Sequence, residues 1–378
     1  MAAGLLAVMV ACAHQAGSVP ATRDPPLAAV TPGWRITQVL PNLATGGLWA
    51  GGARDAWLAG DACADVATCG DDDTNDGTVV VRHWDGTSWQ AVTLPKAYVN
   101  SSLDQGAGPV AATSASDAWI AAYRGTESVD WTDMLHWTGT GWAAPVRLPT
   151  MIQATIAPSA TELWAFGESV SAGQPGYVAH FTGKTWIRGS FPLSGTAAAA
   201  SSPADVWVAG NTTLGEPGIE HWDGHQWRAT PLPGFGLGHA TGLGLADVPG
   251  LAIVKPDDVW AGIAVIGGTS SNREGVFLFR WNGGAWARTA FPWAGTTVAP
   301  VTSDGNGGVW LVLQAGANDK LWLCHYSAGR WTRTPVPSRS GEQLDVSELA
   351  WIPGTHSQWA LGGVSFASDG TAILKYGT

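Results

Sequence analysis

The stretch DVWVAG at residues 205–210, followed by EHWDGHQW at 220–227, decides the fold of this chain. It combines a tryptophan in an apolar run, a variable segment, a basic–aromatic pair, a tight turn and a second tryptophan. The first tryptophan recurs 43 to 62 residues apart, at Trp57, Trp119, Trp164, Trp207, Trp260, Trp310 and Trp359. This spacing is typical of four-stranded propeller blades and not of helical repeats. The sequence therefore predicts an all-β protein, a seven-bladed β-propeller.

The second tryptophan of the repeat predicts how the ring closes. It occurs six times within the full repeats, at Trp89, Trp142, Trp186, Trp227, Trp286 and Trp331. The seventh copy of this strand, WRITQVLP, begins at Trp34, ahead of the first repeat, whereas the last repeat stops at AILKYGT after its third strand. We expect residues 34–41 to pair with 371–376 and complete the last blade, because an open ring leaves two unpaired sheet edges.

The composition fits a large extracytoplasmic all-β domain. The 378 residues include 50 Gly, 23 Pro and 23 Trp, and only 13% are charged, so residues that favour turns and strands are abundant. The net charge of −11 and the dispersed basic residues disfavour nucleic acid as a partner, because phosphate contacts need clustered Lys and Arg. We expect one propeller domain, residues 33–378, and a monomer.

The first 32 residues are predicted to direct export. Residues 2–11 form an apolar run that is too short to span a bilayer and ends in small residues before Cys12. The stretch 9–12 resembles the box of bacterial lipoprotein signals, although the usual basic residues ahead of the run are missing. We expect 1–12 to be a signal peptide with acylation at Cys12, plain secretion being the alternative, and the Ala- and Pro-rich segment 13–32 to be a tether. Either route locates the ring outside the cytoplasm, in the bacterial cell envelope or secreted.

The other cysteines are predicted to be structural. Cys63 and Cys69 lie in one loop, and in an oxidising compartment we expect a disulfide between them. Zinc is the weaker alternative, because the spacing is not Cys-x-x-Cys and there is no second cysteine pair. Cys324 lies in the strand pattern LWLCHY, which indicates a buried free thiol.

The repeat resembles that of kelch-type propellers, in which a glycine-ended second strand precedes a third-strand aromatic residue and a fourth-strand tryptophan. The likeness covers residues 34–378. It departs from that family because the paired glycine occurs only at Gly362 and Gly363, whereas strands such as WLAGD and WIAAY end in one Gly or none. The resemblance implies blade geometry but no particular function, since kelch-type propellers include enzymes, adhesins and adaptors.

One basic and one acidic position recur in the blades. The basic residue directly precedes the third-strand aromatic, at His83, His136, His180, His221, Arg280, His325 and Lys375. Five second strands begin with an acid, at Asp55, Asp117, Glu162, Asp205 and Asp258. Buried polar groups need partners, and a repeat supplies the same partner in each blade. We therefore expect structural links here, not a metal site.

The turns predict a constant face and a variable face. Tight hairpins with Asp-Gly, Thr-Gly or Asn-Gly join third and fourth strands. The loops between second and third strands differ in length and chemistry, at 61–78, 124–133, 167–176, 211–217, 267–275, 315–320 and 364–370. These loops share one face with the links between blades, and variable loops on a rigid scaffold are the usual place for binding.

Three segments of that face carry candidate site residues. An acidic loop has oxygen-bearing side chains spaced as in a calcium site, at Asp71, Asp73, Asn75 and Asp76, but its Gly comes one residue late and no Glu follows. A solvated loop is the alternative, and no other cofactor is expected.

In segment 124–133, Trp131 lies among Glu127, Asp130 and Asp133 and could stack on a sugar, unless it packs on a neighbour. The Gly-rich link 234–250 adds Phe235 and His239, without the context of a dinucleotide site.

No catalytic constellation is recognisable in the sequence. First strands such as VAAT (110–113) and AAAA (197–200) present small side chains to the channel. We therefore expect a non-catalytic binding or scaffold module with a protein or carbohydrate ligand. The alternative is a carbohydrate-active enzyme, a glycosidase or lyase, with acidic-loop carboxylates as acid and base. Two carboxylates at the channel mouth would favour the enzyme, and a shallow aromatic face would favour the module.

Overall fold

A computed structural model of the chain describes residues 33–62, 78–99, 104–126, 129–169, 173–234, 246–265, 275–315, 320–339, 341–364 and 370–377. These residues form antiparallel strands in seven sheets, together with one 3₁₀ turn at Lys96–Tyr98. Within these ranges no helix is long and apolar enough to cross a membrane. The all-β, seven-bladed prediction is confirmed.

Each blade contributes four strands, numbered from the innermost outward. The N-terminal strand β1 (Trp34–Leu40) belongs to the last blade. Blades 1 to 3 consist of β2 (Leu43–Gly52), β3 (Asp55–Ala62), β4 (Thr78–Trp84) and β5 (Trp89–Val92); β6 (Asp104–Ser114), β7 (Asp117–Thr126), β8 (Val129–Trp137) and β9 (Val146–Leu148); and β10 (Ile152–Ser159), β11 (Glu162–Gly167), β12 (Gly176–Phe181) and β13 (Trp186–Phe191).

The remaining blades repeat this order. Blades 4 to 6 consist of β14 (Ser194–Ser202), β15 (Asp205–Asn211), β16 (Pro217–Trp222) and β17 (Trp227–Ala229); β18 (Ala246–Lys255), β19 (Asp258–Val265), β20 (Gly275–Trp281) and β21 (Trp286–Thr289); and β22 (Thr297–Ser303), β23 (Val309–Ala315), β24 (Lys320–Ser327) and β25 (Arg330–Pro335). Blade 7 consists of β27 (Glu342–Trp351), β28 (Gln358–Val364), β29 (Thr371–Tyr376) and β1, and the short β26 (Ser338–Arg339) pairs with the start of β27.

The ring is closed by the N-terminal strand, as predicted. First strands of successive blades contact one another around the ring, including those of blades 7 and 1. Strand β1 pairs antiparallel with β29, from Trp34 opposite Tyr376 to Leu40 opposite Thr371. The Thr371 hydroxyl also donates to the carbonyl of Leu43 at 2.5 Å, which joins the last blade to the first. Both termini of the described chain therefore belong to one sheet, and that sheet has no missing outer strand.

A repeated aromatic arrangement holds each blade and links it to the next. Strand pairing sets the second-strand tryptophan opposite the third-strand basic residue in all seven blades. The imidazoles of His136, His180, His221 and His325 stack on these indoles with ring centroids 3.6 to 4.1 Å apart. Tryptophans of adjacent blades then meet edge to face, at Trp119–Trp186, Trp164–Trp227, Trp207–Trp286, Trp260–Trp331, Trp310–Trp34 and Trp359–Trp89. Such pairs add to the burial of apolar area and join the blades at six of the seven junctions. At the seventh, between blades 1 and 2, the rings of Trp57 and Trp137 are tilted, with centroids 6.4 Å apart.

The predicted acid–base links form in most blades, with two differences. The basic side chain bonds the acid at 2.6 to 2.9 Å in the pairs Asp55–His83, Asp117–His136, Asp205–His221 and Asp258–Arg280. In blade 3 the prediction is wrong, because His180 Nε2 is buried without a hydrogen-bond partner and Glu162 does not bond it. In blade 6 the sequence pattern missed the acid: Asp304, in the turn before β23, bonds His325 at 2.9 Å.

The tight hairpins between third and fourth strands define one face, the hairpin face. Their glycines adopt the left-handed backbone that the turns require, with φ between 81° and 98°, at Gly86, Gly139, Gly183, Gly224 and Gly283. The opposite face, the variable-loop face, carries the links between second and third strands and between blades. Cys324 is a fully buried free thiol, as predicted, and burial raises its pKa to about 12.

Candidate functional site

The predicted ligand-binding segment 124–133 is mostly strand and not loop. Strand β7 continues to Thr126 and β8 begins at Val129, so Asp130, Trp131 and Asp133 are paired strand residues. The prediction of a long loop here was wrong because the hairpin extends beyond the blade repeat. Asp130 is exposed at the edge of this extension.

The carboxylate of Asp133 is buried and engaged by three side chains. Tyr98 Oη donates to its Oδ2 at 3.1 Å, and Arg147 Nε donates to its Oδ1 at 3.2 Å. Arg124 Nη1 lies 3.6 Å from Oδ2, and the Arg147 guanidinium covers the Trp131 ring at 4.2 Å. Asp133 therefore ties the 3₁₀ turn to blade 2, and a ligand role for Asp130, Trp131 and Asp133 stays a prediction.

The other predicted site residues lie outside the described ranges. They are the lipidation residue Cys12, the disulfide pair Cys63 and Cys69, the calcium residues Asp71, Asp73, Asn75 and Asp76, and the ligand residues Glu127, Phe235 and His239. In the described part of the chain, no group of three His, Cys, Asp or Glu residues could hold a metal ion.

A feature that the sequence pattern did not reveal recurs in all seven first strands. Each contains a β-bulge near its start, where the register shifts, at Thr45/Gly47, Ala107/Val110, Ile152/Ala154, Gly195/Ala197, Asp247/Gly250, Ala299/Val301 and Val346/Glu348. First strands begin at the variable-loop face, so the bulges form a ring at that end of the channel. Because a bulge re-aims side chains out of the regular pleat, this ring, the channel mouth, is where polar groups of different blades converge.

Polar bonds connect blades 7, 1, 2 and 3 at the channel mouth. The hydroxyls of Thr45 and Ser347 lie 2.8 Å apart, joining blade 1 to blade 7. Asp61, near the end of β3, accepts a bond from the backbone N–H of Ala107 at 2.5 Å, which joins blade 1 to blade 2. Three adjacent blades are therefore fixed by side chains from the bulged region.

Blade 2 is joined to blade 3 by a tyrosine. Tyr123 Oη donates to the carbonyl of Ile152 at 2.6 Å, and beside it the Gln153 amide donates to Glu168 Oε1 at 2.6 Å. The Tyr123 ring lies so close to Gly108 that a Cβ there would come within 2.4 Å of the ring carbon Cζ. Gly108 therefore makes the space that the Tyr123 ring occupies.

The channel mouth carries acidic side chains, and two of its carboxyl groups have raised pKa values, so they hold a proton for part of the time near neutral pH. Burial raises the pKa of Asp61 to about 7, although the bond from Ala107 acts in the opposite direction. Burial also raises the pKa of Glu348, which is half-buried on β27, to about 8. The pKa of Tyr123 is raised by burial and by the negative charges of Asp61, Glu168 and Glu348. Carboxyl groups from blades 1, 3 and 7 therefore act electrostatically on one phenol from blade 2.

This arrangement can accept hydrogen bonds from a ligand and can exchange protons near neutral pH. No Lys or Arg in the described ranges offsets the raised pKa of Asp61 or Glu348, so the carboxyl groups are available to a donor or a cation brought from outside. The sequence pattern missed the site because its residues come from strand ends in four blades. Gly108 of β6 was the local signal that a bulky side chain approaches there.

The chain matches no protein-family model and no curated protein, but its fold matches solved structures. A structure of YCF48 bound to D1 peptide has a TM-score of 0.56 at 16% identity and covers 96% of this chain and 100% of that chain. YCF48 from Cyanidioschyzon merolae has a TM-score of 0.56 at 12% identity, covering 91% and 98%. The GH74 xyloglucanase from Xanthomonas campestris has a TM-score of 0.54 at 12% identity, covering 91% of this chain and 55% of that chain.

Identities of this size show the fold alone. The chain is a β-propeller, similar in fold to a peptide-bound protein and to a glycoside hydrolase. The kelch-type likeness of its repeat is not confirmed, since no family model matches.

Proposed function

We propose that this chain is a non-catalytic binding module whose protein or glycan ligand docks on the variable-loop face over the channel mouth. The observation that carries the proposal is the set of polar bonds that connects blades 7, 1, 2 and 3 at the channel mouth in the described chain, beside carboxyl groups whose charges raise the pKa of Tyr123. A rigid ring with polar groups gathered at one opening suits recognition.

The acidic character of the mouth favours a ligand that supplies hydrogen-bond donors. A basic side chain of a protein would meet carboxylates without an internal counter-charge, and sugar hydroxyls would meet the same acceptors. Because burial keeps the pKa of Asp61 at about 7, a cationic donor that binds there would displace a proton at neutral pH.

The test is capture of a ligand by the full chain, from envelope extract and on a glycan array. Asp61→Asn keeps the acceptor for Ala107 but removes the charge, so it should weaken capture. The matched control is Asp257→Asn, an exposed carboxylate on the hairpin face that pairs with Lys255 at 3.1 Å, and it should leave capture unchanged. Equal capture by wild type and both variants, or no specific capture at all, would refute the proposal.

A second function, that of a carbohydrate-active enzyme, is favoured by two observations: the channel mouth carries more than one carboxyl group, and burial raises the pKa of one of them, Asp61. A carboxyl group with a pKa of about 7 is half protonated at neutral pH, as a general acid of a glycosidase must be. Release of reducing ends from polysaccharides by wild type, and its loss in Asp61→Asn, would show that the chain is a carbohydrate-active enzyme.

The proposal extends to the cell envelope and to calcium. Export with acylation of Cys12 predicts palmitate incorporation that Cys12→Ser abolishes, and light scattering of the purified chain should show a monomer.

If Asp71, Asp73 and Asn75 bind calcium, the ion should raise the melting temperature of wild type but not of Asp73→Ala. A disulfide between Cys63 and Cys69 would appear as a cross-linked peptide in non-reducing mass spectrometry.

A further inference from the structure

The turns between first and second strands break the repeat in two adjacent blades. In blades 1 to 5 these turns contain two residues, as at 203–204 in blade 4. In blade 6 the turn contains five residues, 304–308, and in blade 7 it contains six, 352–357. Both lie on the hairpin face, opposite the channel mouth described above, and their extra length has no part in the blade framework.

The longer turns have defined conformations, and the side chain of Trp351, at the end of β27, connects them. Asp304 Oδ1 accepts bonds from the backbone N–H groups of Asn306 and Gly308, both at 2.7 Å. Gly305, with φ of 72°, lies against the Trp351 indole, and a Cβ there would come within 2.2 Å of Nε1. The same Nε1 donates to the carbonyl of Thr355 at 2.9 Å, within the turn of blade 7. The two turns are therefore ordered by their own hydrogen bonds and packing, and they form the two walls of a cleft.

A cleft of about 520 Å³ opens between these walls, at the junction of blades 6 and 7. Its lining includes the imidazoles of His325 and His356, the side chains of Ser327 and Ser357, and the rings of Trp310 and Tyr376. This volume falls in the range of small-molecule sites, roughly 300 to 1,000 Å³. His356 is exposed at the turn, so its imidazole can contact a ligand without any rearrangement of the packed core.

The lining is polar but offers no free charge. Asp304 is its single carboxylate, and this group is buried and already accepts bonds from His325 and from two backbone amides. Burial raises the pKa of Asp304, but these bonds outweigh that effect and hold it below its ordinary value. The lining contains no Lys or Arg, and the guanidinium of Arg35, outside the lining, donates to the carbonyl of the lining residue Gly377. A charged ligand would therefore find no free counter-ion among the lining side chains, whereas a neutral one would find donors and acceptors beside aromatic rings.

We propose that this cleft binds a neutral saccharide. Hydroxyl groups of a sugar ring both donate and accept, which matches serine hydroxyls and imidazole nitrogens. The C–H faces of the ring are apolar, which matches the part-exposed ring of Tyr376. The site is separate from the channel mouth and goes beyond the binding function proposed for that face.

The test is titration of the full chain with methyl glycosides of glucose, mannose, galactose and N-acetylglucosamine, followed by saturation-transfer NMR and calorimetry. We expect at least one glycoside to bind with a Kd on the order of 1 mM. His356→Ala and Ser357→Ala should each weaken that binding about tenfold, the equivalent of one lost hydrogen bond. Thermal melting checks that both variants are folded.

Two control variants locate the binding. His225→Ala removes an exposed imidazole from the hairpin of blade 4 on the same face, and Asp61→Asn alters the channel mouth. Both should bind the glycoside as wild type does. The proposal is overturned if no glycoside binds, if the cleft variants bind as tightly as wild type, or if Asp61→Asn alone abolishes binding. The last result would assign the sugar to the channel mouth and so support the function proposed above.

Discussion

A third-strand histidine bonds an aspartate in four of the seven blades, and blade 4 shows why the pair is structural. Asp205 accepts bonds from His221 Nε2 and Trp207 Nε1, both at 2.8 Å. Burial acts to raise the pKa of Asp205. These bonds and one from Ser201 outweigh burial, so the pKa lies below its ordinary value. The carboxylate is thus kept charged by its neighbours within the blade.

We expect His221→Ala to destabilise the protein by about 1–3 kcal/mol, because it leaves a half-buried carboxylate without one of its donors. Thermal or urea unfolding measures the loss. His225→Ala is the control, since this exposed residue of the same blade should change stability little. Ligand capture should survive in folded His221→Ala protein; full stability with lost capture would mean that His221 serves binding.

Blade 3 offers the reverse experiment. His180 stacks on Trp164 at 3.6 Å, but its Nε2 is buried without a partner, and burial lowers the pKa of this imidazole. Glu162→Asp gives blade 3 the acid that blades 1, 2, 4 and 5 have, so His180 should gain a hydrogen bond and the protein about 0.5–1.5 kcal/mol. Asp205→Glu in blade 4 should have the opposite effect. A lower melting temperature for Glu162→Asp would show that the link depends on more than the acid.

The carboxyl groups of Asp61 and Glu348, both half-buried at the channel mouth, predict how stability depends on pH. The pKa of Glu348 is raised from 4.5 to about 8 and that of Asp61 from 3.8 to about 7. Both groups hold a proton more tightly in the native state than in the unfolded chain, so the free energy of unfolding should fall as pH rises through this window and level off above it. Melting temperatures from pH 5 to pH 9 measure the slope. Glu348→Gln should flatten it, and an unchanged slope in that variant would contradict the burial of this charge.

At the scale of elements, strand β1 completes the last blade and fills an aromatic position in it. The centroid of the Trp34 ring lies 5.4 Å from that of Trp310 in blade 6 and 5.6 Å from that of Tyr376 in its own blade. A chain that begins after β1 loses these contacts and exposes the edge of β29, so we expect it to aggregate or to lose several kcal/mol. A chain beginning at residue 33 is the control. If the shorter chain melted as the control does, β1 would not be needed for closure.

The elements could be predicted from the sequence because their signals are local. Each blade repeats the same tryptophans and Gly-containing hairpins, and the displaced strand at Trp34 is sufficient to predict that the N-terminal strand closes the ring. The differences arise where the pattern changes. Asp304 lies in an enlarged turn instead of two residues before a tryptophan, and β7 and β8 extend into a segment whose composition is typical of a loop.

At the scale of the whole molecule, the candidate site exists only because the ring closes. Asp61, Tyr123, Glu168 and Glu348 belong to four blades, and Glu348 lies more than 280 residues from Asp61 in the sequence. A repeat pattern describes the residues that all blades share, whereas these four residues occupy positions at which the blades differ from one another. The sequence predicted that a ligand binds on the variable-loop face, and the position proposed on that face follows from the bulges and from the curvature of the ring.

The most direct test of binding at the channel mouth is hydrogen–deuterium exchange of the full chain, with and without its captured ligand. We predict slower exchange in the ligand complex for peptides covering 104–110, 120–126 and 342–350, which border the mouth, and unchanged exchange at the hairpins 85–88 and 223–226. Protection at the hairpins with none at the mouth would contradict the account.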